Sequence, residues 1–277
     1  MQPPEDTARH RAHMPEGASS VLNARSLTTA HRRLAQLLRP GLTVLDVGCG
    51  TGAITRGITE AVAPNGRAVG VDLHAGLIKE ARRLHGEVPG LSFETADVYN
   101  LPFHDLFDIV TAARVLQWLA NPLVALQKIA TAAKPGGRVV ILEYNHEKIA
   151  WQPQPPLSMQ EFYAAFLRWR ADAGMDNAIA DHLAEMFARA GLTDILITPQ
   201  HEIARRGDAD FVTRSSIWAE VTASRGSQMI ADGVISEDLR AAAETDYRNW
   251  INQSAESQTM YLLAVEGLRP VSSTGEK

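Results

Sequence analysis

Residues 44–52 read Val44-Leu45-Asp46-Val47-Gly48-Cys49-Gly50-Thr51-Gly52, and this stretch decides the fold. A short, nearly all-apolar run breaks into three alternating glycines, and apolar residues then recur at helical spacing at Ile54, Ile58, Ala61 and Val62. A strand, a tight turn and a helix follow one another here. Glycine suits the turn because it takes left-handed backbone angles without strain and lets a ligand approach the main chain closely.

Outward from this stretch the rhythm repeats. Residues 68–72, 91–95, 107–111 and 138–144 read as further strands, with helical patterns between them, one of which opens at Asn121-Pro122. Strands that are apolar throughout must be covered on both faces, and β–α alternation favours a parallel sheet. The expected fold is α/β, a doubly wound, mostly parallel seven-stranded sheet, with its last two strands at 194–198 and 259–265. After residue 147 the pattern changes. Residues 151–156 hold three prolines and read as a linker, and two helical stripes follow, Phe162, Ala165, Phe166, Trp169 and then Leu183, Met186, Phe187, Ala190. Two more helices are expected at 209–225 and 236–252. The expected organisation is a flexible tail at 1–18, one domain at 19–269 and a flexible tail at 270–277. Within the domain, a core at 41–147 carries a helical lid inserted at 148–190, and further strands and helices fill 191–269.

Composition narrows the function classes. The chain has 277 residues, 45% hydrophobic, with a net charge of −5. It lacks the basic excess that neutralising nucleic-acid phosphates calls for, so no nucleic-acid partner is expected. Cys49 is the single cysteine, which excludes an intrachain disulfide and a thiolate-rich metal site. No apolar run approaches the roughly 20 residues of a membrane helix, and residues 1–16 contain no apolar signal-peptide core. His10 and His13 have a metal-like spacing but no third ligand, so no metal is expected. The expectation is a soluble, cytoplasmic protein without membrane association.

The glycine turn alone is ambiguous. Gly48, Gly50 and Ala53 also satisfy the dinucleotide pattern G-x-G-x-x-G/A, which keeps an NAD(P)-dependent oxidoreductase open. The surrounding charge separates the readings. Phosphates favour backbone N–H groups with no carboxylate nearby. Here Asp46, Asp72 and Asp97 lie at or just beyond the ends of the first three strands, where open α/β sheets bind ligands. Three carboxylates suit a cationic, hydroxyl-rich ligand better than a pyrophosphate. Each has a plainer alternative: Asp46 and Asp72 as caps of turn or helix, Asp97 as a turn residue. Asp108, near the start of its strand, reads as structural.

Asp46 to Gly52, Asp72 and Ala96-Asp97-Val98 together resemble the motifs of class I S-adenosylmethionine-dependent methyltransferases, which have a Rossmann-like fold. The resemblance covers about residues 40–145, and is nearest to small-molecule enzymes akin to the quinone-biosynthesis C-methyltransferases. It implies S-adenosyl-L-methionine as cofactor. Gly48, Cys49, Gly50, Thr51 and Gly52 would form the loop beneath its methionine and ribose portion, and Asp46 would orient the amino end. Asp72 would accept two hydrogen bonds from the ribose diol, with Leu73 against the adenine. Asp97 would accept from the adenine amino group, beside Ala96 and Val98. Ala113 and Arg114 would begin the segment whose backbone lines the methionine part, and Arg25 would reach the carboxylate.

The implied reaction moves an electrophilic methyl group to an O, N or C nucleophile of a small molecule. Alignment and exclusion of water supply much of such catalysis, so a dedicated base is optional. The residues after the fifth strand are Glu143, Tyr144, Asn145, His146 and Glu147; His146 is the base to consider, against a surface histidine in a loop. Enzymes of this fold that methylate adenine or glutamine amides carry Asn/Asp-Pro-Pro-Tyr/Phe where this chain has Thr111-Ala112-Ala113-Arg114. Trp151, Phe162, Tyr163, Phe166, Trp169 and Phe187 give the lid an aromatic character that suits an apolar or aromatic acceptor, or that serves only the lid's own packing. Trp218, Tyr247 and Trp250 would close the same cavity or form a homodimer contact. A non-catalytic relative that binds the nucleoside is a third reading.

Overall fold

The computed structural model of the protein describes residues 4–13, 23 and 25–271. In chain order it forms α1 (Pro4–Ala12), α2 (Leu27–Ala30), α3 (Arg32–Leu37), β1 (Thr43–Val47), α4 (Ala53–Val62), β2 (Arg67–Asp72), α5 (Ala75–His85), β3 (Leu91–Thr95), β4 (Phe107–Ala113), α6 (Pro122–Ala132) and β5 (Ala133–Tyr144). There follow β6 (Ala150–Gln152), α7 (Leu157–Asp172), α8 (Ile179–Arg189), β7 (Thr193–Pro199), β8 (Glu202–Arg205), α9 (Phe211–Ser215), α10 (Ile217–Ala231), α11 (Glu237–Gln253), β9 (Ser257–Met260) and β10 (Leu262–Leu268).

Seven strands make one sheet in the order β3-β2-β1-β4-β5-β10-β7. The first five are parallel, and β10 runs antiparallel between β5 and β7. Successive side chains point to opposite faces of a strand, and both faces are covered here. Val44, Ile109 and Val140 pack with Leu27, Leu34, Ile58 and Val62 of α2, α3 and α4. Their neighbours Leu45, Val110, Val139 and Ile141 pack with Leu126, Ile129, Leu183 and Phe187 of α6 and α8. Each fully buried aliphatic side chain contributes roughly 1.5–3 kcal/mol, which is why these strands carry so few polar residues. The expected doubly wound α/β sheet is therefore the observed one.

The lid differs from its expected bounds. Of the two helices placed there, only α7 belongs to it. The stripe Ile179, Leu183, Met186, Phe187 of α8 joins the sheet's own core. Helical spacing shows which face is apolar but not what that face meets. The lid is instead α7 with α9, α10 and α11, joined around Phe162, Phe166, Trp169, Trp218, Tyr247 and Trp250. A second, antiparallel sheet β6-β9-β8 extends it. Trp151 and Gln152, read as linker, are part of β6. The strand expected at 259–265 divides at Tyr261, so that β9 serves the small sheet and β10 the large one.

Part of the expected N-terminal tail is also structured. Residues 4–12 form α1, with Ala8 only 2% exposed against Ala173 and Met175. Of the rest of the predicted tails, 1–3, 14–18 and 272–277 lie outside the described residues. Among the described residues no helix is long and apolar enough to cross a membrane.

Candidate active site

A cavity of about 290 Å³ opens between the sheet and the lid. Gly48, Gly50, Asp72, Asp97, Ala113 and Arg114 line it from the sheet side, and Trp118, Tyr144, His146, Phe166 and Trp218 from the lid side. β1 and β4 are neighbours in the sheet although α4, β2, α5 and β3 separate them in sequence, and the loops that follow these two strands meet at the cavity. That is the switch point of a doubly wound sheet, where ligands bind.

The glycine loop is held by the main chain, with the N–H groups of Gly48 and Cys49 donating to the Val71 carbonyl at 2.7 and 3.0 Å. Gly48 has φ +72°, and a Cβ there would stand 2.3 Å from Val115 Cγ2, so only glycine fits. Gly48 and Gly50 face the cavity, whereas Cys49, Thr51 and Gly52 do not line it. Burial pushes the Cys49 thiol well above its ordinary value, which makes it unreactive.

Asp46 is also turned away from the cavity wall. It is 4% exposed and accepts a 2.7 Å hydrogen bond from Thr55 Oγ1, which ties the end of β1 to α4. Burial, opposed by that hydrogen bond and helped by the charge of Asp72, lifts its carboxyl to about 7. Its place in the structure is as a brace beneath the loop. Asp72, by contrast, lines the cavity. Its Oδ2 accepts from Gly50 N–H at 3.0 Å and its Oδ1 from His74 N–H at 2.9 Å. Both oxygens are fixed in direction and each keeps a lone pair. Leu73, 40% exposed, and Ala96 and Val98 line the same side.

Asp97 caps a short 3-10 turn, accepting from Tyr99 N–H at 3.0 Å, and its other oxygen meets Arg9 Nη2 at 2.7 Å. Arg9 lies on α1, in the stretch that read as a tail, and its sequence context carried no signal for this contact. Asp108 takes the structural role expected of it, binding Thr43 N–H at 2.8 Å and Lys134 Nζ at 2.6 Å.

Arg114 sits at φ +63°, rare for a residue with a side chain. Its guanidinium reaches Tyr144 Oη at 2.9 Å, the Ala30 carbonyl at 3.2 Å and Glu202 Oε1 at 2.5 Å. Burial opposes its charge, but Tyr144 and Glu202 outweigh burial, so Arg114 is a firm cation. Arg25 also lines the cavity; burial first, and the charge of Arg114 second, lower it to about 10.

Of the five residues considered at 143–147, where β5 ends, Tyr144 and His146 line the cavity. Glu143 is fully buried and uses Oε1 to accept from Val115 and Leu116 N–H at 2.8 and 2.6 Å, holding the loop after β4. Burial raises its carboxyl to about 8 against those hydrogen bonds. Asn145 caps the next turn through Glu147 N–H. His146 is not a surface histidine: it is 5% exposed, and burial with the nearby Arg170 charge holds it well below its ordinary value. It contacts the rings of Tyr144, Phe166 and Trp218 at 5.5, 6.0 and 6.1 Å between centroids. Trp118 is overlain by two guanidinium groups, Arg225 at 4.4 Å and Arg170 at 4.7 Å. Its residue type and place in the segment after β4 were visible in the sequence; the arginines come from distant helices.

A family model described as a methyltransferase domain matches residues 38–191, more than half of the chain. The chain belongs to the S-adenosylmethionine-dependent methyltransferase family. It is 31% identical over 173 residues to an uncharacterized 37.1 kDa protein in transposon TN4556 of Streptomyces fradiae, which spans 62% of this chain and 49% of that protein. It is 35% identical over 118 residues to the ubiquinone/menaquinone biosynthesis C-methyltransferase of Burkholderia vietnamiensis, 42% of this chain and 47% of that enzyme. This methyltransferase chain thus matches about half the length of those two relatives. The crystal structure of the YcgJ protein from Bacillus subtilis superposes with a TM-score of 0.55 at 17% identity, over 87% of this chain and 99% of that one, which shows the shared fold. The methyltransferase match covers the sheet side of the cavity and α7 and α8, and ends before α9–α11.

Proposed function

We propose that the protein transfers a methyl group from S-adenosylmethionine to a small apolar or aromatic molecule held under the lid. The observation that carries this reading is the Asp72 carboxylate. It lines the cavity with both oxygens already aimed by Gly50 and His74 N–H groups, beside a glycine loop that closes on Val115. A ribose diol donates two hydroxyl protons, and a carboxylate with both oxygens aimed in this way can accept them.

The residues present fit the cofactor. Asp72 would take the ribose hydroxyls, Leu73 and Val98 would flank the adenine, and Gly48 and Gly50 would allow close approach of the main chain. Arg25, a cavity-lining guanidinium with no ion pair among the described residues, would take the carboxylate. Asp46 acts through the loop it braces. When bound, the cofactor supplies a sulfonium-activated methyl group whose leaving sulfur becomes neutral. The chain's part is to align acceptor and donor and to keep water out. Tyr144, Phe166 and Trp218 provide the apolar wall for the acceptor.

Calorimetry with S-adenosylhomocysteine tests the reading directly. Micromolar binding is expected, and no binding to the folded protein overturns it.

A further inference from the structure

Two loops meet the lid at the cavity, and one lid residue holds both. Arg170, in the last turn of α7, is fully buried and does not itself line the cavity. Its Nη2 donates to the main-chain carbonyl of Gln117 at 2.8 Å, in the loop after β4. Its Nε donates to Asn177 Oδ1 at 2.8 Å. The main-chain carbonyl of Asn177 in turn accepts from His146 N–H at 2.7 Å, in the loop after β5. Asn177 is tied back to α7 by its own amide, which donates to the Leu167 carbonyl at 2.9 Å. The two loops also meet each other, with Gln117 Oε1 lying 2.6 Å from His146 Nε2.

The loop after β4 is gripped from opposite sides. Glu143, at the end of β5, accepts from the N–H groups of Val115 and Leu116, and Arg170 donates to the carbonyl of Gln117. The segment they hold runs from the glycine loop to the lid. Its first residue, Val115, packs so closely on Gly48 that a Cβ there would stand 2.3 Å from it. Its last, Trp118, lines the cavity and lies under the Arg170 guanidinium at 4.7 Å. Close-packed interiors transmit small displacements, so a shift at Gln117 is felt at the glycine loop.

Packing alone does not call for an arginine here. Arg170 makes no ion pair among the described residues, and burial lowers it only to about 10, so it keeps its charge in the interior at neutral pH. A buried cation without a carboxylate is costly, and an apolar side chain of similar length fills such a place without that penalty. What the guanidinium adds is direction, because its donors form a rigid planar fork. We propose that Arg170 is a positioning residue for methyl transfer: by holding the Gln117 carbonyl it sets where the segment 115–118 lies against the glycine loop, and with it the affinity for the methyl donor. This rests on the transferase reading above and adds to it a residue that touches neither donor nor acceptor.

The test compares ¹⁵N-labelled wild type with Arg170→Met, Arg170→Lys and a control from the same helix, Phe162→Ala, which alters the buried lid core away from the cavity. Calorimetry with S-adenosylhomocysteine is read on the folded fraction of each. Arg170→Met is expected to weaken binding about tenfold, as for one good hydrogen bond. Arg170→Lys keeps the charge and one donor but loses the fork, so it should lose only about threefold; it also carries the test if the methionine variant does not fold. In spectra of the free protein the amides of Val115, Leu116, Gln117 and Gly48 should move in both variants, further in Arg170→Met, and stay in place in Phe162→Ala. A merely structural arginine would lower stability and leave those amides and the affinity as they were. Wild-type affinity in both variants, unmoved loop amides, or an equal loss in Phe162→Ala would each overturn the proposal. Absence of S-adenosylhomocysteine binding to wild type would instead overturn the transferase reading, and the free-protein amides would still show whether Arg170 sets the segment.

Discussion

The two sides of the cavity hold their polar groups in opposite ways. On the sheet side the two carboxylates that line the cavity are held before any ligand arrives, in large part by main chain a few residues away. Asp72 accepts from His74 N–H and Asp97 from Tyr99 N–H, each two residues on, and the glycine loop bonds to the next strand. On the lid side His146 Nδ1 and Trp218 Nε1 have no partner among the described residues. The bonds that do exist there join distant segments, as when Tyr163 Oη donates to the His146 carbonyl at 2.5 Å. A surface built by local backbone is fixed as soon as the sheet forms, whereas one built by side chains from several helices depends on those helices being docked.

The strongest way to break this contrast is to damage the lid's core and ask whether the sheet side notices. Phe162 is fully buried in that core and does not line the cavity. Phe162→Ala is expected to lower unfolding free energy by about 3–5 kcal/mol, through lost burial and the void left behind. Urea denaturation measures it. The affinity of the folded variant for S-adenosylhomocysteine should stay within about twofold, because independent sites add. A large loss of affinity at full folding would show that the two sides are one unit.

The next largest effect is on the sheet side itself. Asp72→Ala removes two charge-assisted acceptors and should weaken S-adenosylhomocysteine about 100-fold by calorimetry, near 3 kcal/mol. Asp72→Asn keeps one acceptor and should lose less. Unchanged affinity in both variants would remove the ribose role.

The same contrast explains what was legible in the sequence. The strands, the glycine turn and Asp72 could be read because their chemistry is local: an apolar run, a glycine where φ is positive, an acid at a strand end. Asp46 sits at the same kind of position, yet its side chain turns to Thr55; spacing placed it without giving its direction. The bounds of the lid were not legible, because α7 and α8 both carry helical apolar stripes and only tertiary packing separates them. Nor was the Gln117–His146 pair, since Gln117 lies before α6 and His146 after β5 and the contact needs the folded sheet.

A smaller effect comes from pH. Asp46 and Glu143 are raised to about 7 and about 8 by burial, so the folded protein binds their protons more tightly than the unfolded chain does. Stability from these groups is complete below the unfolded carboxyl range and is lost as pH rises through 7 and 8. His31, held at about 3 by burial and the Arg114 charge, and the similarly lowered His146 act in the opposite direction, losing stability as pH falls below the ordinary histidine value. Between the ordinary carboxyl and histidine values the two pairs offset each other. The thermal midpoint should therefore be level there and fall by several degrees above neutrality. Scanning calorimetry of Asp46→Asn should turn the level range into a rise with pH up to the ordinary histidine value, because Glu143 alone is then left to oppose the two histidines, and an unchanged level range would mean that Asp46 is ionised in the folded protein.

The smallest effect sharpens the boundary between the two sides. Arg9 of α1 pairs with Asp97 Oδ2, the oxygen left over by the turn cap, and its side chain is 48% exposed. An exposed pair of this kind contributes little to stability, about 0–1 kcal/mol. Its interest is competition, because an adenine amino group and Arg9 would both use Oδ2. Arg9→Ala frees that oxygen and should tighten S-adenosylhomocysteine by up to about fivefold, in line with the loss of one exposed pair. Salt screens the competing pair, so raising ionic strength should narrow the gap between wild type and variant. A weaker affinity in Arg9→Ala would reverse the assignment: α1, whose Glu5, Ala8, Arg9 and Ala12 already line the cavity, would then support the cofactor through its anchor on Asp97 rather than compete with it.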